Sequence, residues 1–360
     1  MTTSLAIPAS PADLTSEWIE HVLRHAGYDS VVANVHVAPI GTGQMASSLR
    51  VAIDYTHGPA DAPESVVVKI ASLDPNSRGA GAAGAYEREV RYYQHLDADL
   101  AIATPRSYWA DINIATSDFA LVLEDMHPAT QGDQIAGCSI DELRQAAVNV
   151  AGLHAPRWGD ESLFELPWLS SPRDELPARY GDLKEMLAMF TPGFIDRYRD
   201  RIDERHIQVL TWGAKNVVEW LSNDDGPFGL QHGDYRLDNL LFDSTSEDRP
   251  VAAVDWQTVT VRSPVSDISY LLGTSVEPEV RRSVEADVVA AYHARLGELG
   301  VTDYSLDDCI RDYHRGCYHT PIITVLGSML TGQTARGDDM FMAMLHRSTD
   351  QIFDLQPPPN

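Results

Sequence analysis

Residues 230–243 read Leu-Gln-His-Gly-Asp-Tyr-Arg-Leu-Asp-Asn-Leu-Leu-Phe-Asp, and a second acidic site, Val254-Asp255-Trp256, follows after a short turn. The pattern is His232-x-Asp234-x-x-x-x-Asn239, running into an apolar, strand-like segment. Asp234 has the chemistry of a base that takes or orients the proton of an attacking hydroxyl. Asn239 and Asp255 offer oxygen donors, the ligands that Mg²⁺ prefers. One base and two metal ligands, close together and in this order, match the demands of phosphoryl transfer, where positioning and charge neutralisation do most of the work. Without partners elsewhere in the chain, the same residues would read as a polar turn before a strand.

Such partners occur at matching places upstream. Lys69 interrupts the apolar run Val66-Val67-Val68-Lys69-Ile70. Its ammonium either faces water from an edge strand or contacts the α- and β-phosphates of a nucleotide. Glu89, in Tyr86-Glu87-Arg88-Glu89-Val90, sits on a predicted helix and can pair with Lys69. Glu87 lies about 200° away around that helix. Gly41-Thr42-Gly43-Gln44-Met45-Ala46-Ser47-Ser48 reads equally as a hairpin turn or as a phosphate-approaching loop. In the second reading Gly43, Ser47 and Ser48 contact phosphate. The segment is neither a P-loop nor a dinucleotide fingerprint.

Within the motif, Arg236 could steady the charge of the transferred group, and His232 is read as a loop brace. Asp238 is read as a brace or a water-mediated ligand. Asp255 closes an apolar strand, where a carboxylate is costly to bury unless paired or metal-bound. Asp267, at a predicted helix start, is read as holding the loop. His314, Cys317 and Tyr318 share a helical face and read as core or substrate wall before metal site. His154 reads as a hydrogen-bonded core histidine.

The chain has 360 residues, is 44% hydrophobic and carries a formal net charge of −26. That charge argues against a nucleic-acid partner, whose phosphates it would repel. It requires local cations beside any bound nucleotide, and it gives only a slight tilt toward a cationic second substrate. The three cysteines form no Cys-x-x-Cys pair, which suits a reducing, cytoplasmic setting. No apolar run approaches a membrane span, and residues 1–8 do not read as a signal peptide. The oligomeric state stays open.

Residues 10–28 predict one capped helix, and residues 31–40, 48–55, 65–71, 105–110 and 119–124 predict strands. Residues 79–84 read as a Gly/Ala-rich loop and 86–96 as a helix. Beyond Met126 helices dominate: 140–154, 205–221, 280–296, 306–330 with a break at Pro321, and 338–353. The expected organisation is an N-terminal nucleotide-binding lobe at 1–125 and a C-terminal catalytic and substrate-binding lobe at 126–360.

Taken together, these segments resemble the aminoglycoside phosphotransferase and choline kinase-like superfamily over residues 40–272. Leu121-Val122-Leu123-Glu124-Asp125-Met126 looks like the family's hinge, which implies adenine contacts at Glu124 and Met126. The Arg236-Leu237-Asp238-Asn239 and Asp255-Trp256-Gln257 versions are similar to an ecdysteroid-kinase-like subgroup and to kinase domains that phosphorylate hydroxyacyl-CoA. The resemblance implies an α+β, protein-kinase-like, two-lobed fold with a small β-rich N-lobe and a mainly helical C-lobe. It implies ATP and Mg²⁺ as cofactors and a small-molecule hydroxyl as acceptor, without fixing which one. Amino sugars, choline-like alcohols, sterols and hydroxyacyl thioesters stay open. A nucleotide-binding pseudokinase acting as sensor or scaffold is the reading from another class. The segment from Asp255 to Asp267 is too short for the peptide-docking loop of a protein kinase.

Overall fold

The computed structural model describes residues 5–41, 45–170, 175–222, 226–243 and 245–359, without the side chains of residues 76, 77 and 80. The chain divides into two compact units. One comprises Met1–Ala98, Thr104–Pro128 and Asp255–Gln257, the other Asp99–Ala103, Ala129–Val254 and Thr258–Asn360.

The first unit is built on an antiparallel sheet of β1 (Val31–Pro39), β2 (Ala46–His57), β3 (Ser65–Ala71), β4 (Ser107–Asn113) and β5 (Asp118–Glu124), in the order β1-β2-β3-β5-β4. Helix α1 (Ser16–His25) lays Trp18, Ile19, Val22 and Leu23 on one face of it, against Val51, Val66, Val68 and Ile70. Side chains alternate along a strand, so Lys69 projects from the other face. That face is the one on which α3 (Tyr86–His95) packs, with Tyr86 against Phe119 at 4.5 Å between ring centroids.

Two local expectations are corrected here. The helix predicted over 10–28 starts twice, because two caps compete within six residues. Asp13 accepts from the Ser10 backbone N–H at 2.8 Å and closes a single turn, Pro11–Asp13. The Thr15 hydroxyl then accepts from Trp18 N–H at 3.2 Å and begins α1. The Gly/Ala stretch is not a loop but α2 (Pro75–Ala80) and a wide turn, Gly81–Ala85. Gly81 admits the Tyr86 ring, which would lie 2.1 Å from a β-carbon at that position.

The second unit is helical around short β-segments. Its helices are α4 (Ile140–His154), α5 (Leu176–Arg197), α6 (Glu204–Ser222), α7 (Ser266–Ser275), α8 (Pro278–Glu298), α9 (Leu306–Gly316), α10 (His319–Leu330) and α11 (Ala335–Leu355). Strands β6 (Thr130–Gln131), β8 (Leu240–Phe242) and β9 (Val251–Ala253) pair antiparallel, as do β7 (Gly229–Gln231) and β10 (Thr260–Arg262). Phe194, Leu210, Val217, Tyr270, Val325 and Leu345 form the core shared by α5, α6, α7, α10 and α11. The segment predicted as one helix over 306–330 breaks at Cys317 and Tyr318, before Pro321. Pro321 instead sits in the first turn of α10, where a missing N–H costs no helical bond. Among the described residues, no helix is long and apolar enough to cross a membrane.

Candidate active site

In the second unit the loop between β7 and β8 carries Asp234, and donors surround its carboxylate. Tyr270 donates its hydroxyl to Oδ1 at 2.7 Å, and Asn239 donates Nδ2–H to Oδ2 at 2.8 Å. Arg236 directs Nε–H at both oxygens, at 3.0 and 3.2 Å. With its amide nitrogen committed to Asp234, Asn239 has its carbonyl oxygen as the end suited to a cation. The antiparallel register of β8 and β9 lets Val254 N–H donate to Asn239 O at 3.0 Å, immediately before Asp255 in the chain.

The loop is pinned from beneath by Asp267, which is fully buried at the start of α7. Its carboxylate accepts the backbone N–H groups of His232 at 2.7 Å and Gly233 at 3.0 Å, and His154 Nε2 at 3.2 Å. Burial alone would raise this carboxyl. The His154 hydrogen bond and the backbone donors outweigh burial and hold it below its usual value. Burial drives His154 the other way, toward the neutral ring. A neutral His154 donates to Asp267 through Nε2 and accepts from the Tyr292 hydroxyl at Nδ1, 2.8 Å away. His232 is wired alike: Asp234 N–H donates to its Nδ1 at 3.3 Å, and its Nε2–H donates to Val254 O at 3.1 Å. It braces the loop.

Gly233 has φ of 81°, and a β-carbon there would meet the Thr258 carbonyl oxygen at 2.7 Å. Gly233→Ala is therefore expected to lose about 1–3 kcal/mol of stability through backbone strain, with the clash added, as read by chemical denaturation.

A chain of alternating charges extends from the loop. Arg236 also pairs with Asp238 at 2.9 Å, and Arg336 grips Asp238 with two nitrogens, each at 3.1 Å. Gln134 N–H completes the set on Asp238 at 2.9 Å. Burial pushes the Asp238 carboxyl up, but Arg336, Arg236 and Gln134 bring it below its usual value. Arg236, read from sequence as steadying transferred charge, is thus already committed to two carboxylates and to Met340 Sδ.

The first unit holds a separate polar group. Lys69 donates to Glu89 at 2.7 Å and lies 3.6 Å from Asp255. Gln257 Nε2–H donates to the other Glu89 oxygen at 3.1 Å. Burial disfavours the Lys69 ammonium, but Asp255 and Glu89 outweigh it and raise its pKa, so the charge persists. Burial also raises Glu89, against the pull of Lys69. Trp256 stacks on Tyr92 at 3.7 Å, anchoring the turn that presents Asp255. Asp255 adopts φ of 69°, an unusual conformation for a residue with a β-carbon, and its carboxylate is 39% exposed. Ser48 is the cross-strand partner of Lys69 and shares its face, while Ser47 pairs with Ile70 on the face toward α1. The two hydroxyls therefore stand on opposite faces of the sheet. Gly43 lies outside the described residues.

The family model for phosphotransferase enzymes matches residues 37–304. The chain belongs to the phosphotransferase enzyme family. It is similar to the wild-type aminoglycoside 2'-phosphotransferase-IIIa in its GDP complex, with 14% identity and a TM-score of 0.54 over 89% of this chain and 94% of that one. It is also similar to the ethanolamine kinase of Plasmodium vivax, with 13% identity and a TM-score of 0.52 over 87% and 82%. These likenesses establish the α+β, kinase-like fold. Mouse acyl-CoA dehydrogenase family member 11 is 26% identical over 170 residues, 47% of this chain. The chain spans about a fifth of that relative's length, 20%.

Membership of the family makes the hinge segment worth placing. Asp125, between Glu124 and Met126, is tied to Arg50 at 2.7 Å and to the Ser65 hydroxyl at 2.6 Å. Glu124 turns its carboxylate to Arg106 N–H at 3.1 Å, and Met126 is half-buried. Sequence reading passed over Tyr270, Gln134, Arg336 and Gln257, since each reaches its partner across a long chain separation. Among the described residues no group of three or more His, Cys, Asp or Glu side chains could hold a metal. His314 is half-buried and Cys317 is buried.

Proposed function

We propose that this protein transfers the γ-phosphoryl group of ATP to a hydroxyl of a small molecule, with Asp234 orienting that hydroxyl and accepting its proton. The observation that carries the reading is the Asp234 carboxylate, fixed by Tyr270, Asn239 and Arg236 at 2.7–3.2 Å. A base held by three side chains, two of its own loop and one of α7, loses little orientational freedom on reaction.

The donor set fits Mg²⁺: Asn239 brings an amide oxygen, and Asp255 a half-exposed carboxylate on a strained turn. Those two residues would hold the ion, which supplies neutralisation of phosphate charge when bound. Lys69 contributes a fixed ammonium to the nucleotide phosphates, and Glu89 with Gln257 keeps it in place. Ser48 shares its face and is the hydroxyl best placed to assist. Adenine recognition falls to the backbone near Glu124 and Met126. Arg236 acts as a positioning residue for Asp234.

The test is ATP-dependent phosphorylation across a panel of hydroxyl acceptors, followed by phosphorus NMR. The reading is abandoned if ATP binds but no acceptor is phosphorylated, which favours a scaffold. Lys69→Met is expected to lower turnover by about 10²-fold, as removal of one fixed charge from a transferring group does. Steady-state kinetics on a soluble, folded variant checks it.

A hydroxyacyl thioester as acceptor is the second reading. It is supported by the partial match to acyl-CoA dehydrogenase family member 11, a protein named for acyl-CoA. Phosphorylation of a hydroxyacyl-CoA but not of an aminoglycoside separates the two acceptor classes.

A further inference from the structure

The second unit contains a cavity of about 280 Å³ that the chemistry above does not use. Gln231, three residues before Asp234, lines it from β7. This residue is only 1% exposed, and neither Nε2 nor Oε1 of its side chain has a hydrogen-bond partner among the described residues. A buried carboxamide left unpaired is costly, and native proteins rarely keep one without a use. His319 also lines the cavity and donates Nε2–H to the Gly233 carbonyl at 2.8 Å, in the loop that carries Asp234.

The remaining lining defines what would fit. Trp220 spends its indole N–H on the Arg315 carbonyl at 2.8 Å and so presents apolar ring surface. Phe228 packs on Phe164 at 5.5 Å, and the Tyr180 ring lies under the Arg262 guanidinium at 5.5 Å. These are flat walls suited to a flat guest. Among the described residues the charged lining is two arginines, Arg262 and Arg315, and one carboxylate, Asp312. Asp312 is already bound by the Tyr304 hydroxyl at 2.8 Å and Arg311 at 3.3 Å. It is not placed to receive an ammonium group.

We propose that this cavity binds the planar, amide-bearing part of a small neutral or anionic molecule, with Gln231 as its recognition group. A carboxamide presents a donor and an acceptor side by side, the complement of another amide or lactam edge. The volume accommodates one ring with its amide, at the small end of ligand sites. The proposal does not depend on ATP chemistry.

Benzamide is the probe, titrated by ligand-detected NMR against the full chain, with benzylamine as the cationic counterpart of the same shape. Benzamide is expected to bind more tightly than benzylamine, and Gln231→Leu to weaken it at least 10-fold while thermal stability holds or rises. Gln231→Met serves if the leucine variant does not fold. Asp234→Asn is expected to bind benzamide like the unaltered chain, so loss of phosphoryl transfer and loss of this site are read separately. Equal binding of both probes, or equal binding by the Gln231 variants, overturns the proposal. So does absence of binding together with destabilisation by Gln231→Leu, the result expected of a cavity that holds ordered water only.

Discussion

Asp234→Asn is expected to lower phosphoryl transfer by about 10²–10⁴-fold, the range that a positioned general base supplies. The substitution preserves shape but places an amide where Arg236 Nε–H now finds a carboxylate at 3.0 and 3.2 Å. Arg236 keeps its second partner, Asp238, at 2.9 Å, so the loop retains its frame. On the function proposed above, the loss should fall on kcat, with the KM for ATP nearly unchanged, because Lys69, the group proposed to meet the nucleotide phosphates, belongs to the other unit. Single-turnover assays with a hydroxyl acceptor that the unaltered chain phosphorylates read this directly. Full activity in the variant would remove Asp234 from the mechanism.

Asp267→Ala should have the largest effect on stability, a loss of about 3–5 kcal/mol, typical of stripping a partner from a buried charged network. Three donors lose their acceptor at once: His232 N–H, Gly233 N–H and His154 Nε2–H. None can turn to water, since His154, His232 and Asp267 are all fully buried. The acid limb of stability should change with it. A carboxyl held below its ordinary value of 3.8 stabilises the fold fully above that value, and the contribution is lost as pH falls through the depressed one. Unfolding free energies measured from pH 7 down to pH 3 should therefore fall less steeply in Asp267→Ala than in the unaltered chain. Asp238, held low by Arg336 and Arg236, supplies a second acid-sensitive contribution that persists in the variant.

The loop and its order were legible because local chemistry and spacing coincide there. His-Gly-Asp, Asn239 and Asp255 lie within a short stretch, and the apolar flanks of Lys69 announce a strand. Alternation along that strand was also readable, and it explains why Lys69 and Ser48 share a face while Ser47 does not. What stayed hidden depends on tertiary packing. Helix α5 contains Pro192 and a weak apolar pattern, so its sequence advertises no helix. Gly316, the last residue of α9, admits Ser269, whose hydroxyl would lie 2.3 Å from a β-carbon there, and no local spacing announces that contact. Tyr270 and Arg336 reach their carboxylates from α7 and α11, and no local spacing relates them to the loop.

The crowding around Asp234 bears on waste. A carboxylate has about four lone-pair positions. Here Oδ1 receives Tyr270 and Arg236, while Oδ2 receives Asn239 and Arg236. On the function proposed above, a stray water has no vacant position on the base and no binding energy elsewhere with which to displace a donor. A true acceptor, gripped through its non-reacting parts, can pay for that displacement. The resting enzyme should thus hydrolyse ATP slowly when its acceptor is scarce, and Tyr270→Phe, by opening one position, should make it leak.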